Sequence, residues 1–251
     1  MSEIGTGSSD VSILEPLRVD VWSDVVCPWC AIGKANLETA IGSFDGVVDV
    51  VWHSYELDPT APAARDGEYV GMLAKKYGAS REQAEGMIAN VVRAGAEAGV
   101  EFRFDRVMPG NTFDAHRMIH LGAARGIQSE VKSRFLRAYF VDGAAIGLPE
   151  VVAEIAVDAG LDADEVDAVL QSDTFAEEVR TDEAMAASLQ VTGVPFFVVD
   201  RRYAIAGAQP AEVMLQVLQQ ADDERRGAGP ARGTAPDPGA EGGSCDVDGC
   251  C

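Results

Sequence analysis

Cations are scarce in this sequence. Its 251 residues carry 20 Lys and Arg against 41 Asp and Glu, a formal net charge of −21. So acidic a chain does not hold a polyanion by charge, which excludes nucleic acid and anionic membranes as main partners. Long apolar runs are missing as well: no stretch of about 18 apolar residues occurs, so no transmembrane helix is expected. Residues 1–16 have neither the basic nor the apolar part of a secretory signal, and the default expectation is the cytoplasm. No internal repeat is visible. Cysteine is sparse and uneven, with Cys27 and Cys30 near the start, Cys245, Cys250 and Cys251 at the end, and none between. Five cysteines so clustered are not a disulfide framework, and a chain of this length builds its core without one.

What is present reads as α/β. Leu17 to Trp22 alternates apolar and polar residues with β-branched valines, a strand pattern. Pro28 suits a first helical turn, and a helix is expected from Pro28 to Ser43. Val47 to Tyr55 is a second strand, apolar enough to be buried on both faces. Together these make a right-handed βαβ unit. Residues 59–190 read as helices. Ser80 to Gln83 has capping-box spacing, Asn111 or Thr112 can cap a helix to Arg125, and Ser129 to Tyr139 is amphipathic. Further helices are expected over Pro149 to Ala159, from Asp162, and over Thr174 to Gln190. Strand character returns at Pro195 to Val199 and, after a turn at Asp200 to Arg202, at Tyr203 to Ala206. Pro210 to Ala221 closes as a helix. Residues 222–251 are rich in Gly, Pro and Ala and read as a flexible tail, like residues 1–16. The order βαβ, helices, ββα predicts a thioredoxin-like fold made by residues 17–58 and 191–221, with an inserted all-helical domain over 59–190.

The chemistry sits at Cys27-Pro-Trp-Cys30. Two cysteines three apart at a helix start share one turn, close enough to form a disulfide. The helix N-terminus favours a thiolate at Cys27, while Cys30, one turn in, is expected to be more buried. That asymmetry suits dithiol exchange, in which Cys27 attacks a substrate disulfide and Cys30 resolves the mixed disulfide. Structural thiols and a zinc site are the competing readings, and zinc needs a second pair of ligands. Val191 to Pro195 precedes a strand. A cis Val194–Pro195 bond would aim the Val194 backbone at the dithiol, where an extended substrate can pair.

Three segments in order carry a resemblance. Asp24-Val-Val-Cys27-Pro-Trp-Cys30-Ala-Ile-Gly33-Lys34, Asn111-Thr-Phe-Asp-Ala-His116-Arg117 and Gly193-Val-Pro195-Phe196 resemble the DsbA-family oxidoreductases of the FrnE type, over roughly residues 17–220. These are similar to 2-hydroxychromene-2-carboxylate isomerases and kappa-class glutathione transferases. The resemblance implies a thioredoxin fold with a helical insertion, catalytic Cys27 and Cys30 with cis-Pro195, and Asn111 and His116 facing the cleft. The isomerases typically carry Ser where this chain has Cys27, and they use glutathione, so a true dithiol favours redox over isomerisation. Trp29 stands where periplasmic DsbA has a His, so strong oxidising power is not implied.

Pro28, Trp29, Val194, Phe196, Asn111 and His116 are therefore candidate substrate contacts. His116 has helix capping and packing as its plain alternative. Asp24 reads first as a turn residue and second as a proton carrier near Cys30. Trp52 and Tyr55 read as core. His116 and His120 have metal-ligand spacing but no acidic partner at a telling spacing, so no metal is expected, nor a cofactor. Cys245 and Cys250 are candidate auxiliary redox thiols. The expected activity is thiol–disulfide exchange with protein thiols, protein disulfides or low-molecular-weight thiols, in a monomer or homodimer. A thiol-dependent isomerase or transferase for an aromatic small molecule and a chaperone-like binding module are the alternatives.

Overall fold

The computed structural model describes residues 15–65 and 67–227, together with the backbone of residues 245–246. The valine-rich run forms β1 (Leu17–Ser23), and Pro28 opens α1 (Pro28–Gly42), where its missing N–H costs nothing. β2 (Val48–Ser54) runs parallel to β1, with Val21 opposite Trp52. Seven helices follow: α2 (Tyr69–Tyr77), α3 (Arg81–Glu97), α4 (Phe113–Ala124), α5 (Gln128–Arg137), α6 (Pro149–Asp158), α7 (Ala163–Leu170) and α8 (Ala176–Ser188). A π-helical turn, Ala138–Asp142, extends α5. The chain then returns through β3 (Gly193–Val194), β4 (Phe196–Val199), β5 (Tyr203–Ala206) and α9 (Ala211–Arg225), and β6 (Cys245–Asp246) lies beyond.

The main sheet has the order β2-β1-β4-β5. β4 is antiparallel to both β1 and β5. Asp200 and Arg201 both adopt left-handed backbone, and Arg202 N–H donates to Val199 O at 3.0 Å. This is the primed turn that matches the twist of the β4–β5 hairpin. Ser80 makes the capping box: its hydroxyl accepts from Gln83 N–H, and the Gln83 side chain accepts from Ser80 N–H. One contiguous apolar core joins Val19 and Val21 of β1, Ile32 and Leu37 of α1, and Met118 and Phe135 of α4 and α5. The helical insertion thus packs directly on the sheet.

Three expectations are corrected. β2 is an edge strand and is not buried on both faces: Val48, Val50 and Val51 are only partly covered, and neighbouring Val47 is exposed. Only its end, Trp52 to Ser54, is roofed, with α5 and α8 in contact. There Gln128 brackets Trp52, accepting from its N–H at 3.0 Å and donating to its carbonyl at 2.8 Å, which satisfies backbone groups of the open edge. Second, α8 is shorter than Thr174 to Gln190, because Phe175 and Gln190 are both left-handed and break the helix at each end. Third, α9 runs on to Arg225, past the expected tail boundary at residue 222. Asp222 accepts from Arg225 at 2.9 Å and Arg226 at 2.5 Å, and these pairs hold its last turn together.

β3 and β6 form a separate antiparallel pair, with Val194 opposite Cys245 and Gly193 opposite Asp246. Cys250 and Cys251 lie outside the described residues.

Candidate active site

Cys27 is the N-cap of α1, with extended backbone, and Cys30 sits one turn in. The Cys30 N–H donates to Cys27 Sγ at 3.3 Å, so one orphan donor of the helix start points at this sulfur. Cys27 Sγ lies 3.5 Å from the Val194 carbonyl, and the Val194–Pro195 peptide is cis. Gly33, on the same helix, lets this loop come close. A Cβ there would stand 2.8 Å from Pro195 Cγ and 3.1 Å from the Phe197 ring.

The expected burial asymmetry is not found. Cys27 and Cys30 are equally enclosed, in a cluster with Trp22, Tyr55, Leu57 and Val194. Ala186 of α8 and Val191 and Val194 around β3 belong to the same buried cluster, which a linear reading of the helix start cannot anticipate. Cys27 receives the helix-start amide, whereas burial pushes the Cys30 thiol well up, the adjoining Cys27 adds to this, and the Lys132 charge opposes it.

Just before Cys27 in the chain, Asp24 centres a buried polar group built by both parts of the chain. Asp24 is fully buried and accepts from Leu57 N–H at 2.8 Å and from His116 Nε2 at 3.3 Å. It is an internal anchor as well as a turn residue. Burial raises its carboxyl, but His116, the Leu57 amide and Lys132 outweigh this and hold it below the ordinary carboxylate range. Burial pushes His116 down against the pull of Asp24. Its Nδ1 is buried without a hydrogen-bond partner. Lys132 of α5, equally buried, donates to Ser23 O at 3.1 Å. His116 therefore lies under the cleft, not on its surface. Asn111 does the local capping, its side chain accepting from Phe113 N–H at 2.9 Å.

A second polar network escaped the sequence reading. His53 Nδ1 meets Asp182 at 2.6 Å and Nε2 meets Asp20 at 2.8 Å, and its ring stacks on Trp22 with centroids 4.5 Å apart. Asp182 also takes Ser54 N–H at 2.8 Å and pairs with His120 at 3.1 Å. Burial works against the His53 charge, but the two carboxylates win and raise it to about 9. His120, with no acidic partner at a telling spacing in the sequence, meets Asp182 across the fold. Among the described residues no group of three or more His, Cys, Asp or Glu could hold a metal ion.

Two openings flank the dithiol. A cavity of about 590 Å³ is lined by Asp24, Val26, Leu57, Arg65, Tyr69 and Tyr139, among others. A smaller apolar one of about 160 Å³ includes Pro28, Trp29, Tyr77, Met87 and Phe104. Trp29 and Phe196 are both partly buried against the cysteine cluster, while Trp52 and Tyr55 are core.

These features have relatives. A curated protein, the uncharacterized YwbO of Bacillus subtilis (strain 168), is 28% identical over 215 residues, covering 84% of this chain and 98% of that one. The crystal structure of probable DsbA oxidoreductase SCO1869 from Streptomyces coelicolor is similar with 46% identity and a TM-score of 0.78, covering 83% of this chain and 91% of that chain. The cytosolic disulfide reductase DsbM from Pseudomonas aeruginosa shares the fold at 18% identity and a TM-score of 0.55, over 84% of this chain and 96% of that one. Residues 18–219 match the DSBA-like thioredoxin domain, and the chain belongs to that family.

Proposed function

We propose that the protein is a thiol–disulfide oxidoreductase acting through Cys27 and Cys30. The observation that carries this reading is the Cys30 N–H directed at Cys27 Sγ, with the Val194 carbonyl 3.5 Å from the same sulfur. The Cys27 thiolate attacks one sulfur of a substrate disulfide. A mixed disulfide forms and the other substrate sulfur leaves as thiolate. The Cys30 sulfur then attacks Cys27, giving the Cys27–Cys30 disulfide and releasing the second substrate thiol. Run backwards, the same steps oxidise a substrate. An extended substrate would lie along Val194 and Pro195, with Pro28, Trp29 and Phe196 as apolar contacts and Asn111 and His116 supporting the cleft wall from within. The pairing of Val194 with Cys245 supports one further point, that the β3 edge accepts a strand; Cys245 and Cys250 are proposed as an auxiliary thiol pair on their sequence alone.

The test is Cys30→Ser, which should accumulate mixed disulfides through Cys27 when incubated with a disulfide-bonded protein, together with insulin reduction by the wild type. If neither appears, the reading is wrong. A second reading, a thiol-dependent isomerase or transferase, is favoured by the 590 Å³ cavity beside Asp24 and Val26 with Arg65 and Lys76 in its lining. It requires a bound low-molecular-weight thiol and activity that survives Cys30→Ser. In either case no helix among the described residues is long and apolar enough to cross a membrane.

A further inference from the structure

The main sheet, β2-β1-β4-β5, is complete without β6, and among the described residues β6 pairs with β3 alone. Gly193 stands opposite Asp246 and Val194 opposite Cys245. Val194 is fully buried, its carbonyl lies 3.5 Å from Cys27 Sγ, and the peptide that follows it is cis. The edge that β6 takes is therefore the edge beside the dithiol. A strand edge accepts one partner at a time, because each backbone group that pairs with β6 is withdrawn from any other chain. The pairing is also weak. It spans two residues and joins no third strand, and an isolated two-stranded pair is at best marginally stable. What favours it is connection. Residues 226–244 link β6 to α9, so it meets the edge as part of the same molecule, at an effective concentration on the order of millimolar.

We infer that β6 is an internal stand-in for substrate: the backbone at Cys245 and Asp246 occupies the β3 edge in the resting protein, and an extended polypeptide enters only as β6 leaves. The inference rests on the reading of Val194 and Pro195 as the substrate-presenting edge. It concerns backbone pairing and gives no part to the Cys245 thiol. Mass action sets the size of the effect. A tethered competitor at effective concentration C, with dissociation constant K, weakens an incoming chain by the factor 1 + C/K. With C on the order of a millimolar and K of similar size for so short a pairing, the factor is about 2–5. A chain that pairs over more residues, or that is captured as a mixed disulfide on Cys27, displaces β6. The handicap falls on chains that need the edge. A small organic disulfide, with no strand to offer, does not compete with β6.

The test compares two forms of the full chain. Cys245→Pro with Asp246→Pro removes both backbone N–H groups of β6, whereas Cys245→Ala with Asp246→Ala keeps them, so the two forms share the loss of the thiol and differ in pairing. The probe is a fluorescein-labelled peptide with the sequence of residues 242–249 carrying Cys245→Ser, which forms no disulfide. It should bind the proline form about threefold more tightly than the alanine form. Its addition should also slow the hydrogen exchange at Gly193 and Val194 that the prolines speed up. Equal binding to both forms, or no binding to the proline form, overturns the inference. In turnover, KM for a disulfide-bonded peptide should fall by the same factor in the proline form, while KM for hydroxyethyl disulfide should be alike in both. If neither form turns over a disulfide but the binding difference stands, the oxidoreductase reading falls and the occupied edge remains. Turnover with identical binding and KM in the two forms removes the role of β6 alone.

Discussion

At the scale of single residues, the buried polar group around Asp24 bears on stability. Asp24 is held ionised in a buried site by two hydrogen bonds, from Leu57 and His116, and losing the charge leaves a donor unsatisfied. Asp24→Asn should therefore lower stability by about 3 kcal/mol at neutral pH, measured by urea unfolding. Because its carboxyl is depressed in the folded state, this stabilisation is full above the ordinary aspartate value and is lost as pH falls through the folded one. The wild-type curve should decline toward acid, and the Asn variant should decline less. An equally steep decline in both would show that Asp24 is not the group that titrates. The Cys27-Pro-Trp-Cys30 spacing was legible because everything that defines it lies within one helical turn. The depth of Asp24 was not, because a residue before a helix reads as a turn until its partners, Leu57 and His116, are folded onto it. Lys132 was hidden in the same way: in the amphipathic segment Ser129 to Tyr139 a lysine reads as solvated.

Elements carry the next set of effects. His53 of β2 bridges Asp20 of β1 and Asp182 of α8, tying the sheet to the insertion. Its pKa is raised from the ordinary 6.5 to about 9, so its contribution is complete below 6.5 and disappears as pH rises through 9. A loss of about 2 kcal/mol is expected between pH 6 and pH 10, seen in the denaturant midpoint. His53→Gln should be less stable at pH 6 and flatter over this range. The partners lie far apart in sequence, so no local pattern announced them, whereas the strands and most helices were marked by periodicity and caps of their own. Helix α1 makes the other sharp prediction at this scale. At Gly33 an added methyl meets the Pro195 ring, and Gly33→Ala should cost about 1–3 kcal/mol in thermal or urea unfolding. The same substitution at Gly42, where a Cβ meets nothing within 4 Å, is the control and should be close to neutral or stabilising.

For the molecule as a whole, the sheet and the insertion share one core, so the dithiol is enclosed by both. The β3–β6 pair adds a third participant from the far end of the chain. Removing residues 228–251 should expose the backbone of Gly193 and Val194. Hydrogen exchange at these amides should speed up, with no change in the main sheet. Unaltered exchange at 193–194 would mean that β6 does not protect them. The order βαβ, helices, ββα was readable from the sequence because each block has its own period. The β3–β6 pairing was not, since a two-residue strand carries no pattern and the tail composition points the other way.

The central strand has a consequence for how the protein is made. β1 is flanked by β2, its near neighbour in sequence, and by β4, where Val19 meets Val199. During synthesis α1 and its two cysteines leave the ribosome early, while the β3–β4 segment that walls them in arrives only after the whole insertion has been made. Such long-range closure is slow, and partly covered intermediates are exposed until it is complete. The nascent chain thus presents its own dithiol to the surrounding thiol pool throughout synthesis of the insertion, and the site closes only after it.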